Sequence, residues 1–240
     1  MKKVLVVAGI VAAAFLAFRG CFGGWTTSWN QRLTLVIETP QGEVRGSAVT
    51  RVSFSPRNKI ILRDLDSSTL RLKGEAAMVE VFPGRWLFAI LPDQESLIYN
   101  YVKDREPGSH LGFEKAIPLI LDQTEPLKLD PKAESRLDFA PRFPILITFD
   151  DIARPEAVRQ VDPGNLEAVY GEGVRLKAVT IEVTRDAVTE GEVQRVLPWL
   201  EAVGRERGTL IPNPPRLSTD LVNPTIQLLG SDAFSTELFK

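Results

Sequence analysis

The chain has 240 residues, of which 44% are hydrophobic and 25% are charged. These proportions are typical of a folded globular protein and exclude disordered, collagen-like and polytopic membrane proteins. The 29 basic and 31 acidic residues leave a net charge of −2, so the chain has no bulk attraction to polyanions. We therefore expect no nucleic-acid partner.

The amino terminus predicts a membrane anchor. Lys2 and Lys3 precede an unbroken apolar run over residues 4–18. As a helix this run is about 22 Å long, and extended to Trp25 it reaches about 33 Å, which spans a hydrocarbon core of about 30 Å. Trp25 and Trp29 then fall where an interfacial aromatic belt belongs, and the paired lysines keep the amino terminus cytoplasmic.

Two alternatives to an uncleaved anchor remain open. A cleaved signal peptide requires small residues after the apolar run, and Cys21-Phe22-Gly23 fits that pattern poorly. Lipid attachment at Cys21 requires a lipobox, which Phe18-Arg19-Gly20-Cys21 matches badly because Phe and Arg replace Leu and a small residue. We expect a single-pass anchor over residues 1–24, with export or lipid anchoring at Cys21 as the alternatives.

The chain beyond the anchor begins with a predicted β-hairpin. Leu33, Leu35 and Ile37 alternate with polar residues, and the alternation resumes over residues 44–54. Between them, Pro40-Gln41-Gly42 predicts a three-residue loop, in which Pro presets the first turn position and Gly adopts a left-handed conformation.

Further strands follow from alternation or from short apolar runs, at residues 77–81, 86–91 and 145–149. In residues 174–183 the apolar positions change from even to odd numbers, which predicts a β-bulge near Ala178 and Val179.

Three short helices are predicted. The first covers residues 94–103. The second begins at the N-cap Asp162 with Pro163 at the first helical position and ends at Gly171. The third begins at the N-cap Thr189 and is kinked or ended by Pro198. Long loops are expected where Pro and polar residues are frequent, at residues 104–118, 123–144 and 204–240.

These elements predict a strand-rich α+β fold, with antiparallel hairpins and a few short helices, preceded by one N-terminal transmembrane helix. Residues 25–122 form a mainly β region, residues 123–144 a Pro-rich connector, and residues 145–240 an α+β region that can pack with residues 25–122 as one domain.

The hairpin from Leu33 to Val44, followed by Gly46-Ser47, forms one part of a wider pattern. The other parts are Thr148-Phe149-Asp150-Asp151, Val161-Asp162-Pro163 and Leu197-Pro198-Trp199-Leu200. Together with the apolar amino terminus, the chain resembles a group of uncharacterised bacterial envelope proteins with no assigned activity. The resemblance implies a bacterial origin and no activity, so no catalytic residue can be carried over from it. Together with the predicted anchor, it leads us to expect a bacterial inner-membrane protein with a periplasmic folded part.

Metal and cofactor sites have little support in the sequence. Cys21 and His110 are single residues of their types, which excludes an internal disulfide and a Cys/His zinc site. Asp64, Asp66 and Glu75 are spaced like calcium-loop ligands, but Thr69 replaces the required Gly, and residues 70–73 favour a strand. We interpret the segment as a solvated acidic turn, and we expect no metal and no cofactor.

Asp150 and Asp151 are the strongest catalytic candidates because they directly follow an apolar strand. The structural alternative is that they end the strand and pair with Arg154 or Arg159, which is the commoner role of exposed acids. His110 lacks the G-x-S-x-G motif that would support a serine hydrolase. We therefore expect a noncatalytic binding or assembly module that contacts the membrane and another envelope protein. The alternative is an anchored hydrolase that uses Asp150 and Asp151.

Overall fold

The computed structural model describes residues 26–56, 69–103, 111–133, 141–206, 208–212 and 228–238. The predicted anchor, including Cys21, lies outside these residues, and no helix among them is long and apolar enough to cross a membrane. The chain divides into two compact units, residues 1–28 with 53–71 and residues 29–52 with 72–240. In the first, the hydroxyl oxygens of Thr26 and Ser55 are hydrogen-bonded at 3.1 Å. The second contains the described helices and the main hydrophobic core.

The described residues form nine strands in two sheets. The strands are β1 (Thr27–Thr39), β2 (Gly42–Ser55), β3 (Thr69–Lys73), β4 (Ala77–Phe82), β5 (Arg85–Ala89), β6 (Leu127–Leu129), β7 (Leu146–Phe149), β8 (Val158–Gln160) and β9 (Arg175–Thr184). One sheet has the order β3-β2-β1-β9-β6 and the other β4-β5-β7-β8. The pairings of β9 with β1 and β6, and all pairings in the second sheet, are antiparallel. The prediction of a strand-rich α+β fold is confirmed.

The helices are short, as predicted. They are α1 (Leu97–Val102), α2 (Phe113–Leu121), α3 (Glu167–Tyr170), α4 (Glu192–Val196) and α5 (Leu200–Arg205). Single 3-10 turns occupy Gln94–Ser96, Pro155–Ala157 and Ser231–Ala233. The three segments predicted as long loops contain most of α2, all of β6 and the end of α5, so that part of the prediction is wrong.

The predicted first hairpin is present, with a tighter turn than expected. Only Pro40 and Gln41 separate β1 from β2, and Gly42 opens the second strand with φ of +126°, a value that favours glycine. Leu33, Leu35 and Ile37 are buried, as the alternation predicts.

The predicted irregularity in β9 is also present. The register of β1 against β9 shifts between Val36, which faces Ala178, and Ile37, which faces Leu176. Lys177 is therefore the extra residue, one position before the predicted bulge. It is exposed, while Val179 and Ile181 beyond the bulge are buried. The bulge thus absorbs the change in apolar phase.

Two helix starts differ from the prediction. The Asp162 carboxylate accepts a hydrogen bond from the Gly164 amide at 2.8 Å and forms a turn, so helix α3 begins later, although it ends before Gly171 as predicted. The Thr189 hydroxyl does not cap α4, because it accepts from the Val49 amide on β2 at 2.9 Å. Helix α4 ends before Pro198, as expected.

The main core lies between the four-stranded sheet, helices α4 and α5, and the C-terminal segment, residues 228–238. Phe234 is completely buried, and its ring centroid lies 5.8 Å from Phe88, 6.0 Å from Phe149 and 6.3 Å from Trp199. The Ala76 amide donates to the Phe234 carbonyl at 2.8 Å. This segment, predicted to be a loop, therefore contributes central core residues.

Candidate functional site

Asp150 and Asp151 lie at the end of β7, and both are exposed. Asp150 Oδ1 is 2.9 Å from Arg159 Nη2, so one of the two predicted ion pairs is present. Asp151 Oδ1 accepts a hydrogen bond from the Ala153 amide at 3.0 Å, which closes a turn. Each carboxylate therefore has a structural partner on the surface.

Glu75 is the one calcium-loop candidate that the structure describes, since Asp64 and Asp66 lie outside the described residues, as does His110. Its side chain is fully buried. The carboxylate accepts from the backbone amides of Gly191 at 2.6 Å, Glu192 at 2.9 Å and Val193 at 3.2 Å. These amides form the start of α4, where unpaired backbone donors need acceptors.

This arrangement makes Glu75 a long-range cap for α4. Both carboxylate oxygens are engaged by backbone donors, and residue 75 also bridges to Ser235 in the C-terminal segment. Among the described residues, no group of His, Cys, Asp and Glu could hold a metal ion. Glu75, between β3 and β4, therefore connects helix α4 with the C-terminal segment.

A different surface stands out around helix α2. Its last five residues, 117–121, are all apolar, so every side of the final turn is apolar. Only Ala116 and Ile120 of α2 are buried, so part of this apolar final turn is not covered by protein. Pro118 is exposed, and Leu121 is 39% exposed.

An aromatic row connects α2 to α1 and β1. The Phe113 ring at the start of α2 lies 6.3 Å from Trp29 on β1, where the two rings stack, and 4.5 Å from Tyr99 on α1. The Tyr99 hydroxyl donates to the Leu111 carbonyl at 2.9 Å, just before α2. We call α1, α2 and this row of three rings the α1–α2 surface.

Buried amides hold the same elements in place. Gln31 on β1 donates to the Gln94 carbonyl at 2.9 Å, and Gln94 donates to the Ala89 and Ile90 carbonyls at 3.0 and 2.8 Å. On α1, Asn100 donates to the Pro141 carbonyl at 2.7 Å. These buried side-chain amides are therefore hydrogen-bonded, and they connect the α1–α2 surface to the neighbouring strands and loops.

Two cations lie close to the tyrosine rings of α1. Lys103 Nζ lies 5.2 Å from the Tyr99 ring and donates to Asn100 Oδ1 at 2.9 Å, and the Arg142 guanidinium lies 5.6 Å from the Tyr101 ring. Burial, and next the charge of Arg142, lower the pKa of Lys103. Burial raises the pKa of both Tyr99 and Tyr101, because it disfavours the phenolate. The phenols are therefore neutral at pH 7.

Trp29 corrects one prediction. The sequence places it in an interfacial aromatic belt, but it is only 5% exposed, and its indole N–H donates to Gln31 Oε1 at 3.4 Å. Trp29 is therefore part of the folded interior.

The sequence also contains a signal for the apolar end of α2 that the prediction missed. Residues 119–121 extend an apolar run that begins at residue 116 and is interrupted only by Pro118.

The chain matches no family model, no curated protein and no solved structure. Its function must therefore be argued from the residues themselves.

Proposed function

We propose that this chain is a membrane-tethered protein of the bacterial envelope whose folded part is a noncatalytic binding or assembly module. The observation that carries the proposal is the apolar end of α2. Leu121 and Pro118 are exposed there, although the helix itself is anchored through Phe113. Pro118 and Leu121 are neighbours on the helix surface because they are three residues apart, and contiguous exposed apolar groups mark surfaces that bind another component.

The amino-terminal sequence supports the tether. The basic residues Lys2 and Lys3, the apolar run at 4–18 and Trp25 have the order expected of an inner-membrane signal anchor with the following chain in the periplasm. A tether keeps a small binding surface at a high local concentration of membrane components, so a patch of modest size is sufficient for specific contact.

The positions of Asp150 and Asp151, the candidate catalytic residues of a hydrolase, also support a noncatalytic module. Asp150 pairs with Arg159 on the surface, and Asp151 closes a local turn. A general base needs a carboxylate oxygen aimed at a reacting proton. Here one oxygen of each carboxylate is directed to a neighbouring structural group.

Site-specific photocrosslinking in the native membrane tests the proposal. A photoreactive amino acid is placed at Leu121 in the full chain and, as a matched control, at Glu172, which is also exposed but polar. We expect adducts from position 121, to protein or lipid, and only background from position 172. Equal yields from both positions, or recovery of the chain in the soluble fraction, would contradict the proposal.

A further inference from the structure

We infer that helix α4 and the C-terminal segment are released from the four-stranded sheet together, as one conformational unit, because residues 73–76 hold both. These residues connect β3 to β4, and we call them the 73–76 junction. Such a coupled release is a device of the fold itself and does not depend on the proposed function.

Hydrogen bonds join the 73–76 junction to the C-terminal segment. The Gly74 amide donates to the Thr236 hydroxyl at 2.8 Å, and the Thr236 amide donates to the Gly74 carbonyl at 3.0 Å. Two residues further on, the Ala76 amide donates to the Phe234 carbonyl at 2.8 Å. Displacement of the segment therefore removes acceptors from successive backbone donors of the junction.

The same junction holds the start of α4. The buried Glu75 carboxylate accepts from the backbone amides of Gly191 and Val193, and Lys73 Nζ lies 2.9 Å from Glu190 Oε1, just before them. A buried carboxylate that loses its donors carries the full cost of its desolvation. Helix α4 is therefore stable in its place only while Glu75 stays beneath it.

Two junction residues contact both partners. Lys73 Nζ lies 2.9 Å from Glu190 Oε1 before α4 and 3.6 Å from Glu237 Oε2 in the C-terminal segment. The Glu75 side chain caps α4, whereas its backbone bridges to Ser235. Loss of the segment thus frees the backbone of the residue whose side chain caps the helix.

Apolar packing couples the two elements a second time. Leu197, which directly follows α4, and Phe234 are both completely buried and belong to one hydrophobic cluster with Phe88 and Phe149. The ring of Trp199, two residues after Leu197, lies 6.3 Å from the ring of Phe234. Proteins open below the level of global unfolding in contiguous cooperative units, and these shared contacts make α4 and the segment one such unit.

Native-state hydrogen exchange of the detergent-solubilised full chain tests the coupling from the C-terminal side. Thr236→Val removes the hydroxyl that accepts from the Gly74 amide. The reporters are the Phe234 amide, bonded to the Ser231 carbonyl, and the Leu197 amide, bonded to the Val193 carbonyl. We expect both amides to exchange about 2–10-fold faster, and by the same factor, because one opening exposes both.

The reciprocal variant perturbs the helix side. Glu75→Gln should accelerate the Leu197 and Phe234 amides by a common factor of about 30–100, because a charged acceptor is lost. The matched control for Thr236→Val is Thr39→Val at the β1–β2 turn, where the hydroxyl accepts from the Gln41 amide at 3.2 Å. The control should leave both reporter rates unchanged.

Every other pattern of rates overturns the inference. If Thr236→Val accelerates Phe234 but not Leu197, the segment opens alone and the two elements are not coupled. If neither amide accelerates, the 73–76 junction does not hold the segment. If the Val183 amide on β9, bonded to the Gln123 carbonyl at 2.7 Å, accelerates by the same factor, the opening is global unfolding and no separate unit exists.

Discussion

The four-stranded sheet, together with the C-terminal segment, buries its apolar side chains. The α1–α2 surface, by contrast, leaves some of its apolar side chains exposed. Phe234 is completely buried between Phe88, Phe149 and Trp199, whereas Leu121 at the end of α2 is 39% exposed. The first region uses its apolar groups for folding stability. The second leaves some of them in water, where they add little to stability and are available for binding.

The largest expected effect is a change in the free energy of unfolding when apolar residues of the two regions are replaced. Phe234→Ala should lower the free energy of unfolding by about 3–5 kcal/mol, because it leaves a cavity among three rings. Leu121→Ala, the matched change on α2, should cost less than about 0.5 kcal/mol. Urea unfolding of the detergent-solubilised full chain, followed by tryptophan fluorescence, measures both. Similar costs for the two variants would erase the distinction between the regions.

The second test compares charged groups. Glu75→Gln should cost about 2–3 kcal/mol, since the amide turns an N–H₂ group toward backbone donors that the carboxylate now accepts. Lys103→Gln should change the free energy of unfolding by no more than about 0.5 kcal/mol, because Lys103 is only half-buried. Hydrogen exchange of the Gly191 and Val193 amides should accelerate in the first variant alone. Unchanged protection there would show that Glu75 does not cap α4.

Alkaline titration of the tyrosines is expected to give a smaller effect on stability. Burial raises the pKa of Tyr170 to about 12, and its hydroxyl donates to the Trp86 carbonyl at 2.9 Å. A raised pKa means that the neutral phenol stabilises the fold. This contribution is complete below the unfolded-state pKa of about 10 and is lost as the pH rises through about 12.

Tyrosine absorbance measured against pH checks this prediction. Tyr170→Phe should remove the last titration step and cost about 1 kcal/mol at pH 7, whereas Tyr99→Phe should remove an earlier step. If the final step persists in Tyr170→Phe, the tyrosine that titrates last is not the one in the four-stranded sheet region.

The smallest expected effect concerns Asp150 and Asp151. Asp150→Asn and Asp151→Asn should each cost about 0–1 kcal/mol, because exposed ion pairs contribute little. Both variants should complement a deletion strain fully. A catalytic carboxylate behaves differently, since loss of a general base typically costs about 10²–10⁴ in rate. Loss of complementation with an unchanged unfolding curve would favour the hydrolase.

The sequence predicted local structure well wherever neighbouring residues decide it. The β1–β2 hairpin follows from alternation around Pro40-Gln41-Gly42, and the change of apolar phase in β9 placed the bulge within one residue of Lys177. Helix α4 ends before Pro198 because proline cannot continue the hydrogen-bond pattern. Each of these outcomes depends on φ values or side-chain periods, which a short stretch of sequence contains.

The tertiary structure alone decided the roles that depend on distant residues. Glu75 caps α4 across more than a hundred residues, whereas Thr189, the predicted local cap, accepts a hydrogen bond from the Val49 amide instead. Phe234 enters the core from a segment whose Pro and polar content favours a loop, and Trp29 is buried with the Phe113 ring stacked on it. Sequence patterns carry information about faces and turns, whereas burial is set by what packs against each face. For that reason the apolar run around Pro118 could be read from the sequence, but its exposure at Leu121 could be seen only in the folded chain.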